Sequence, residues 1–235
     1  YYPIKVCWFM LNAQNPIGFT VSDDLKYKIA KLLHQYHIHL IEDDVYEELY
    51  SGLNKPLPMK YFDSNNLVLH CSSFSKTLGA GFRVGWVYAG KYSEQIQHLQ
   101  LMSTISANTL IQNALVEFVS SHHYEKHLRL LRRRLEKNKK RFTQYLKQHL
   151  GQCCEIYSFS GGYFIWIKLP LYLNSLELYH QLITQQIGVA PSALFNVLEN
   201  NQHAIRLNCS FEWSPSIQTG LDTLIDSILN IQIQS

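Results

Sequence analysis

HCSSFSKTLGAGFRVGWVYAG occupies residues 70–90 and places one lysine, Lys76, in a loop rich in small and hydroxyl-bearing residues. Ser73 and Ser75 precede this lysine, and Arg83 follows it seven positions later. A strand that only packs in a core needs none of these polar groups. A phosphate-bearing cofactor attached through a lysine would use all of them, because hydroxyls and a guanidinium bind phosphate and an amine reacts with an aldehyde.

The composition is that of a globular protein with one or two domains. The chain has 235 residues, of which 46% are hydrophobic and 17% are charged, so it can bury a sizeable core. Its net charge of +3 is too small to indicate nucleic acid or a membrane as a partner. The apolar runs are shorter than the ~18 residues of a membrane span, so we expect no membrane association.

The cysteines indicate a reducing compartment. There are five of them, an odd number, and no Cys-x-x-Cys pair occurs. We therefore expect a reduced, cytoplasmic protein. The chain opens almost directly on an apolar run at residues 4–11, which predicts a strand buried on both faces. From this opening we expect the chain to be a piece of a longer protein.

Apolar runs alternate with helical patterns in the first half. Short strands are predicted at residues 38–41, 67–71 and 84–89, and Ser22 is predicted to cap a helix with Leu25, Ile29, Leu32 and Leu33 on its buried face. This order is typical of an α/β fold with a parallel-rich sheet. Residues 93–150 have a helical pattern with a break near 104–108. Its buried face is predicted to consist of Leu128, Leu131, Leu135, Phe142 and Leu146.

The second half predicts a smaller α+β domain. Strands are expected at residues 161–170 and 204–211, and helices at 176–186 and 220–231. We therefore assign residues 1–120 to the C-terminal part of a large domain and residues 121–235 to a small C-terminal domain. The basic stretch RLLRRRLEKNKKR within the long helix is interpreted mainly as a solvated helix face, with nucleic-acid binding as the alternative.

Three successive predicted strands end in polar groups. The first is followed by Asn15 and Pro16, the second by Asp43, and the third by the loop that carries Lys76. In open parallel sheets, ligands bind at the carboxyl ends of the strands, so these groups are expected at one edge of the sheet.

A pyridine cofactor that carries a phosphate and an aldehyde would need this set of side chains. Lys76 supplies an amine, and Asp43 supplies a carboxylate that stabilises a protonated ring nitrogen. Asn15 and Tyr46 supply hydrogen-bond donors for the ring oxygen. The phosphate would be bound by the hydroxyls and guanidinium of Ser73, Ser75 and Arg83. Gly79 and Gly81 are predicted to turn the backbone so that Arg83 reaches the phosphate.

Four motifs together resemble the class I/II aminotransferases, which are fold-type I pyridoxal-phosphate proteins. They are NAQNPIG at residues 12–18, IEDDVYEEL at 41–49, SSFSKTLGAGFRVGW at 72–86 and AIRLN at 204–208. In detail the chain is most similar to the aminotransferase-like domain of MocR-type regulators of the GntR family. Such regulators carry a winged helix-turn-helix ahead of this domain, so DNA would be bound only through a domain absent from this chain.

The resemblance implies a role for each matching residue. Lys76 would hold pyridoxal 5'-phosphate as the internal aldimine and shuttle a proton. Asp43 would pair with the pyridine nitrogen, although Asp44 is a competitor. Arg206 would bind the α-carboxylate of an amino acid, with a structural ion pair as its alternative. No metal is expected, because the histidines have no metal-ligand context. Surface positions are expected for the five histidines His34, His37, His39, His122 and His123.

The resemblance leaves two classes of function open. The first is a transaminase that moves an amino group between an amino acid and a 2-oxo acid. The second is an effector-sensing domain that binds the same molecules without turnover and controls an attached winged helix. The family's large domain begins well before Tyr1, so this chain is expected to hold only part of the site. A homodimer is also expected, because the family builds its sites at a subunit interface.

Overall fold

A computed structural model describes residues 3–196 and 202–231, and in it the chain forms two compact units. Of the described residues, 3–14 and 19–132 form the first unit, and 15–18, 133–196 and 202–231 form the second. The division thus lies near residue 132, whereas the sequence predicts a domain boundary after residue 120. Compactness does not show which segments fold independently, so the domain assignment remains a prediction.

The first unit contains one four-stranded sheet. In chain order its elements are β1 (Val6–Phe9), α1 (Asp23–Tyr36), β2 (His39–Asp43), β3 (Val68–Ser73), β4 (Gly85–Tyr88), α2 (Ser93–Thr104), α3 (Thr109–Val119) and the first part of α4 (His122–Leu150). The strand order is β1-β2-β3-β4; the first three strands are parallel, and β4 runs antiparallel to β3. The predicted α/β class and the parallel arrangement are confirmed, so the carboxyl ends of β1, β2 and β3 share one edge.

Helix α1 packs on the sheet through a face that differs in part from the predicted one. Ser22 caps it as predicted, accepting a hydrogen bond from the amide of Leu25. Leu33 is buried, whereas Leu25 and Leu32 are exposed. The buried face of the helix instead includes Lys26, which is fully buried. The buried face was predicted from apolar residues only. Lys26 can be buried because its amine has polar partners.

Strand β1 is not buried on both faces as predicted. Val6 and Trp8 lie on one face of the strand and are exposed, as is Ile4 just before it. Cys7 on the other face packs against the core with Leu33 and Leu40. In the described sheet β1 is an edge strand, and only one of its faces is covered.

The predicted long helical segment consists of three helices. The expected break lies between α2 and α3, and a second break, which the sequence pattern did not indicate, separates α3 from α4 at residues 120–121. The predicted buried face of α4 is confirmed for Leu128, Leu135, Phe142 and Leu146, which are buried, and Leu131 is half-buried. None of the described helices combines the length and apolar character needed to cross a membrane.

The second unit has an antiparallel sheet covered by helices. Its elements are the remainder of α4, then β5 (Glu155–Tyr157), β6 (Phe164–Lys168), α5 (Ser175–Ile183), β7 (Ala190–Pro191), β8 (Ala204–Asn208) and α6 (Pro215–Ile231). The strand order is β5-β6-β8-β7. Its core joins the apolar side chains of β6 and β8 to those of α4, α5 and α6. This is the predicted α+β arrangement, with α6 beginning five residues before the predicted start.

Candidate active site

Asp43 and Ser73 lie on the same face of the first unit's sheet. The register of β2 and β3 places Asp43 beside Cys71, and Ser73 follows two residues later. Because side chains alternate between the two faces of a strand, Asp43, Cys71 and Ser73 share one face, whereas Glu42, His70 and Ser72 lie on the other. The strand pairing therefore brings together two of the predicted cofactor-binding residues.

The carboxylate of Asp43 has a buried oxygen atom without a partner. Its Oδ1 is buried and has no hydrogen-bond partner among the described residues. Burial raises the pKa of this carboxyl, while the Val45 amide, the Trp8 indole and the charge of Lys76 oppose the shift. A buried acceptor that lacks a donor is costly, so this atom is suited to receive a hydrogen bond from a ligand.

A tight turn carries Lys76, whose amine lies over the ring of Tyr46. The carbonyl of Phe74 accepts hydrogen bonds from the amides of Thr77 and Leu78, which wraps the backbone around the lysine. The Nζ atom of Lys76 lies 5.7 Å from the centroid of the Tyr46 ring, and its charge acts on Asp43. Tyr46 is 4% exposed, so it forms a rigid wall next to the amine.

Arg83 adopts an unusual backbone conformation at the end of the same loop. Its φ is 53°, in the left-handed region, at the end of the short 3-10 turn Ala80–Phe82. The glycines do not supply this turn as predicted: Gly79 is extended at φ −178°, and Gly81 is not among the positive-φ residues. The bend depends on Arg83 itself, whose side chain is exposed, while Ser75 is half-buried.

A buried polar network lies next to Asp43 and was missed by sequence reasoning. Asp44 Oδ2 accepts a hydrogen bond from the Asn12 amide at 3.0 Å and lies 3.2 Å from Nε2 of His70. The amine of Lys26 donates to Oδ1 of Asn12 at 2.8 Å and to the carbonyl of Leu57. These contacts hold Oδ2 of Asp44, while its Oδ1, like that of Asp43, is buried without a partner among the described residues. The face shared with Ser73 and the charge of Lys76 favour Asp43 over Asp44 as the ligand-facing carboxylate.

The backbone of Asp44 is also fixed. Its amide donates to the carbonyl of Cys71 at 2.8 Å, and its carbonyl accepts from the hydroxyl of Ser72 at 3.1 Å. The network therefore anchors the segment between Asp43 and Tyr46. Its members are scattered along the chain with no motif spacing, so the only sequence signal was the presence of several polar residues in otherwise apolar strands.

Glu42, Asp44 and His70 form a buried group whose ligand-type atoms lie within 4.8 Å of one another. Both carboxylate oxygens of Glu42 accept backbone amides, from Met59 at 2.5 Å and Lys60 at 3.0 Å. Burial lowers the pKa of His70, but the hydrogen bond to Asp44 and the charge of Glu42 outweigh this and raise it overall. We interpret the group as a structural hydrogen-bond network.

The second unit brings Asn15 and Arg206 together. Nη1 of Arg206 donates to Oδ1 of Asn15, which precedes the cis peptide bond to Pro16. The guanidinium of Arg206 lies over the ring of Phe164 at 4.3 Å and that of Phe195 at 5.0 Å. Arg206 is central in β8, where it pairs with Trp166 on one side and Ala190 on the other. Aromatic rings hold its fork in a fixed orientation.

Comparison with known families identifies the chain. The family described as "Aminotransferase class I and II" matches residues 5–212. The chain belongs to this family. Its relatives among curated proteins include YdcR of Escherichia coli K12, an uncharacterized HTH-type transcriptional regulator that is 48% identical over 212 residues, with 90% of this chain and 45% of that protein covered. A second regulator from the same strain, YjiR, is 30% identical over 229 residues, with 97% of this chain and 48% of that protein covered.

Solved aminotransferase structures share the fold. The multiple substrate aminotransferase of Thermococcus profundus superposes with a TM-score of 0.90 at 24% identity, covering 98% of this chain and 58% of that one. Kynurenine aminotransferase of Pyrococcus horikoshii gives 0.89 at 25% identity, covering 96% and 56%. The fold-type I assignment and the resemblance to HTH-type regulators are thereby confirmed. The chain spans about half the length of the curated relatives that it matches.

Class I and II aminotransferases use pyridoxal phosphate, which is therefore the cofactor that the family implies for this chain. The described residues fit it. The unpartnered Oδ1 of Asp43 suits a protonated ring nitrogen, and the charge of Lys76 acts on the same carboxylate. Ser73 and Ser75 precede the same lysine in the chain. The roles assigned to individual residues remain predictions.

Proposed function

We propose that this aminotransferase-family chain binds pyridoxal phosphate covalently through Lys76 and takes an amino acid as its small-molecule ligand. The observation that carries the proposal is the buried Oδ1 of Asp43, which lacks a hydrogen-bond partner among the described residues while the amine of Lys76 acts on the same carboxylate. A cationic pyridine ring would supply the missing partner of this buried acceptor, and its aldehyde would react with the amine.

The cofactor, when bound, supplies an aldehyde that captures amines and a protonated ring that withdraws electrons from an attached amino acid. Asp43 would hold the proton on the ring nitrogen by stabilising the positive charge there. Tyr46 and Asn15 would donate hydrogen bonds to the ring oxygen, and Lys76 would move a proton after its release. The phosphate would be held by Ser73, Ser75 and Arg83.

Arg206 is the residue that we assign to the substrate. Its fork is held over two aromatic rings and by Asn15, and a planar bidentate donor matches an α-carboxylate. An amino acid, or the 2-oxo acid related to it, would therefore be the ligand class.

We further propose that the chain is the effector domain of a transcriptional regulator that retains transaminase-type chemistry. The support is the relatives named HTH-type transcriptional regulators, of which the chain spans about half. Sequence-specific DNA recognition would then involve segments outside this chain, and a homodimer is expected for the complete protein. The alternative is an effector domain that binds cofactor and amino acid without turnover. Both use the same residues, since sensing needs only a differential binding event.

Covalent attachment is tested by reducing the cofactor-loaded protein with borohydride and mapping the modified peptide. We expect the label on Lys76 and its loss in Lys76→Ala. Lys91→Ala, which removes an exposed lysine elsewhere in the first unit, is the matched control and should keep the label. A label that persists at another residue in Lys76→Ala would overturn the assignment.

Release of a 2-oxo acid distinguishes turnover from sensing. The loaded protein is mixed with each amino acid of a panel, and the 2-oxo acid is quantified by mass spectrometry. Transaminase-type chemistry releases one equivalent per site. If an amino acid changes the visible spectrum but no 2-oxo acid is released, the chain is an effector-sensing domain without turnover.

A further inference from the structure

The part of α4 in the second unit carries an exposed basic surface that the proposed function does not use. We call it the α4 basic face; its residues, all exposed, are Arg133, Arg134, Lys137, Lys140, Arg141 and Lys147. Arg133, Lys140 and Lys147 follow one another at seven-residue intervals, which is about two helical turns, so they form a row roughly 20 Å long.

The charge of the second unit is concentrated on this helix. Residues 133–150 contain one acidic residue, Glu136, and seven basic residues, namely the six of the α4 basic face and Lys139. Residues 151–235 contain only Lys168 and Arg206 as lysines or arginines, against the six acidic residues Glu155, Glu177, Glu199, Glu212, Asp222 and Asp226. A solvated surface usually intersperses both signs, and this one separates them.

The arrangement works against the stability of the isolated helix. Like charges four residues apart repel one another, and this occurs for Arg133 with Lys137 and for Lys137 with Arg141. Across the described residues, the ion pairs that involve α4 are limited to Arg132 with Glu48, so the α4 basic face is not neutralised by carboxylates. An anionic partner would remove this repulsion.

Two basic residues in this part of α4 have structural contacts, unlike the other basic residues there. Lys139 is buried and donates to the carbonyls of Phe159 and Gly161. Arg141 alone in the face has a packing role, lying 4.4 Å from the ring of Trp213. The other members reach solvent, and packing does not explain their charge.

We propose that the α4 basic face binds the phosphate backbone of duplex DNA, without reading its sequence. A row of cations on one helix matches a regularly charged polyanion, and each neutralised phosphate releases counterions, which drives binding. The relatives named as HTH-type transcriptional regulators make DNA the polyanion that such a chain would meet. The inference goes beyond the proposed function, since it depends on neither the cofactor nor Lys76.

The test measures binding of this chain to a fluorescently labelled duplex of arbitrary sequence over a range of salt concentrations. The variant replaces Arg133, Lys137, Lys140 and Lys147 with glutamine. The matched control makes the same net charge change at the exposed lysines Lys5, Lys28, Lys31 and Lys91. If the face binds phosphates, the slope of log K against log salt becomes shallower by roughly 3 to 4 in the variant and stays nearly unchanged in the control.

Equal slopes in the two variants would overturn the proposal, because binding would then reflect net charge alone. The absence of DNA binding by the unchanged protein would overturn it as well. Polyglutamate of equal charge serves as a competitor for the duplex. If it displaces the duplex and its own binding is lost in the same variant, the partner is an acidic protein segment. That result would also contradict the proposal. Circular dichroism checks folding, and the double variant Lys137→Gln with Lys147→Gln should show about half the slope change if the larger one unfolds.

Lys76→Ala separates this proposal from the previous one. It should abolish cofactor attachment and leave the salt slope for DNA unchanged, so that either proposal can fail while the other stands.

Discussion

The burial of Asp43 is unfavourable for the cofactor-free fold, as expected of the side chain that we propose to bind the cofactor. Its carboxyl is buried enough to raise its pKa, and Oδ1 has no partner among the described residues. The folded state therefore keeps the proton to higher pH than the unfolded chain. Ionisation then costs stability as the pH rises from the usual aspartate range of about 4 through the raised folded pKa.

Asp43→Asn should therefore stabilise the cofactor-free protein and weaken cofactor binding. At pH 7 we expect a gain below about 1 kcal/mol, since water partly screens this half-buried carboxylate. The gain should vanish as the pH falls below ~4, where aspartate is neutral in both states. Urea unfolding at several pH values measures the gain, and a titration of pyridoxal phosphate should show at least about tenfold weaker binding.

Asp44→Asn is the informative comparison for that prediction. Asp44 is held by Asn12 and His70, so its replacement should destabilise the protein rather than stabilise it. If Asp43→Asn lowered the stability while cofactor binding was unchanged, Asp43 would be a structural residue.

Gly85 is required where β4 approaches β3. A Cβ atom at this position would lie 2.8 Å from the carbonyl oxygen of Ser72 and 3.3 Å from Cβ of Ser73. Gly85→Ala should shift the backbone next to Ser73 and cost about 1–3 kcal/mol, as overpacking usually does. Gly81→Ala is the matched control, because a Cβ there meets nothing within 4 Å. Chemical denaturation of both variants checks this, and equal unfolding midpoints would contradict it.

At the scale of elements, a buried lysine of α4 forms hydrogen bonds with the loop before β6. Lys139 donates to the carbonyls of Phe159 and Gly161, and burial lowers its pKa to about 8. Gly161 and Gly162 both have positive φ values, of 78° and 59°, so this loop depends on backbone conformations that glycine tolerates best.

Lys139→Met should destabilise the protein by about 1–3 kcal/mol, because two carbonyls lose a charged donor. The loss should depend on pH. Above pH about 8 the folded protein releases the Lys139 proton, while the unfolded chain keeps it to about 10.4, so the stability contributed by Lys139 rises between these values.

The unfolding free energies of the wild type and of Lys139→Met are compared at pH 7 and at pH 10. The difference between the two proteins should be larger at pH 10. The neighbouring exposed residue provides the control, and Lys140→Met should change stability little at either pH. A difference that is constant with pH would mean that Lys139 ionises as it does in water.

Elements were predictable from the sequence where one local rule decides them. The parallel order of β1, β2 and β3 follows from strands separated by a helix or a long loop, and the α1 cap follows from Ser22. The burial of Lys26 could not be predicted, because its partners Asn12 and Leu57 come from distant segments. The same holds for the contact of Asn15 with Arg206, which are 191 residues apart. Motif spacing identified candidate residues, and only the fold showed which of them meet.

At the scale of the whole molecule, the described surface of the first unit includes a strongly apolar strand. Val6 is 53% exposed on the uncovered face of β1 at the edge of the sheet, and Ile4, two residues before the strand, is 67% exposed. An exposed apolar edge strand favours association with other chains, since both its side chains and its unpaired backbone groups can find partners.

We therefore expect the 235-residue chain to self-associate through β1, and Ile4→Lys combined with Val6→Lys to reduce this association. Charged side chains on an edge strand oppose pairing with a second strand. Leu53→Lys is the matched control, because Leu53 is 98% exposed outside the sheet and an isolated exposed leucine should contribute little. Light scattering over a range of protein concentrations should show less association in the β1 variant only. The same reduction in both variants would mean that the added charge, rather than the strand, controls the association.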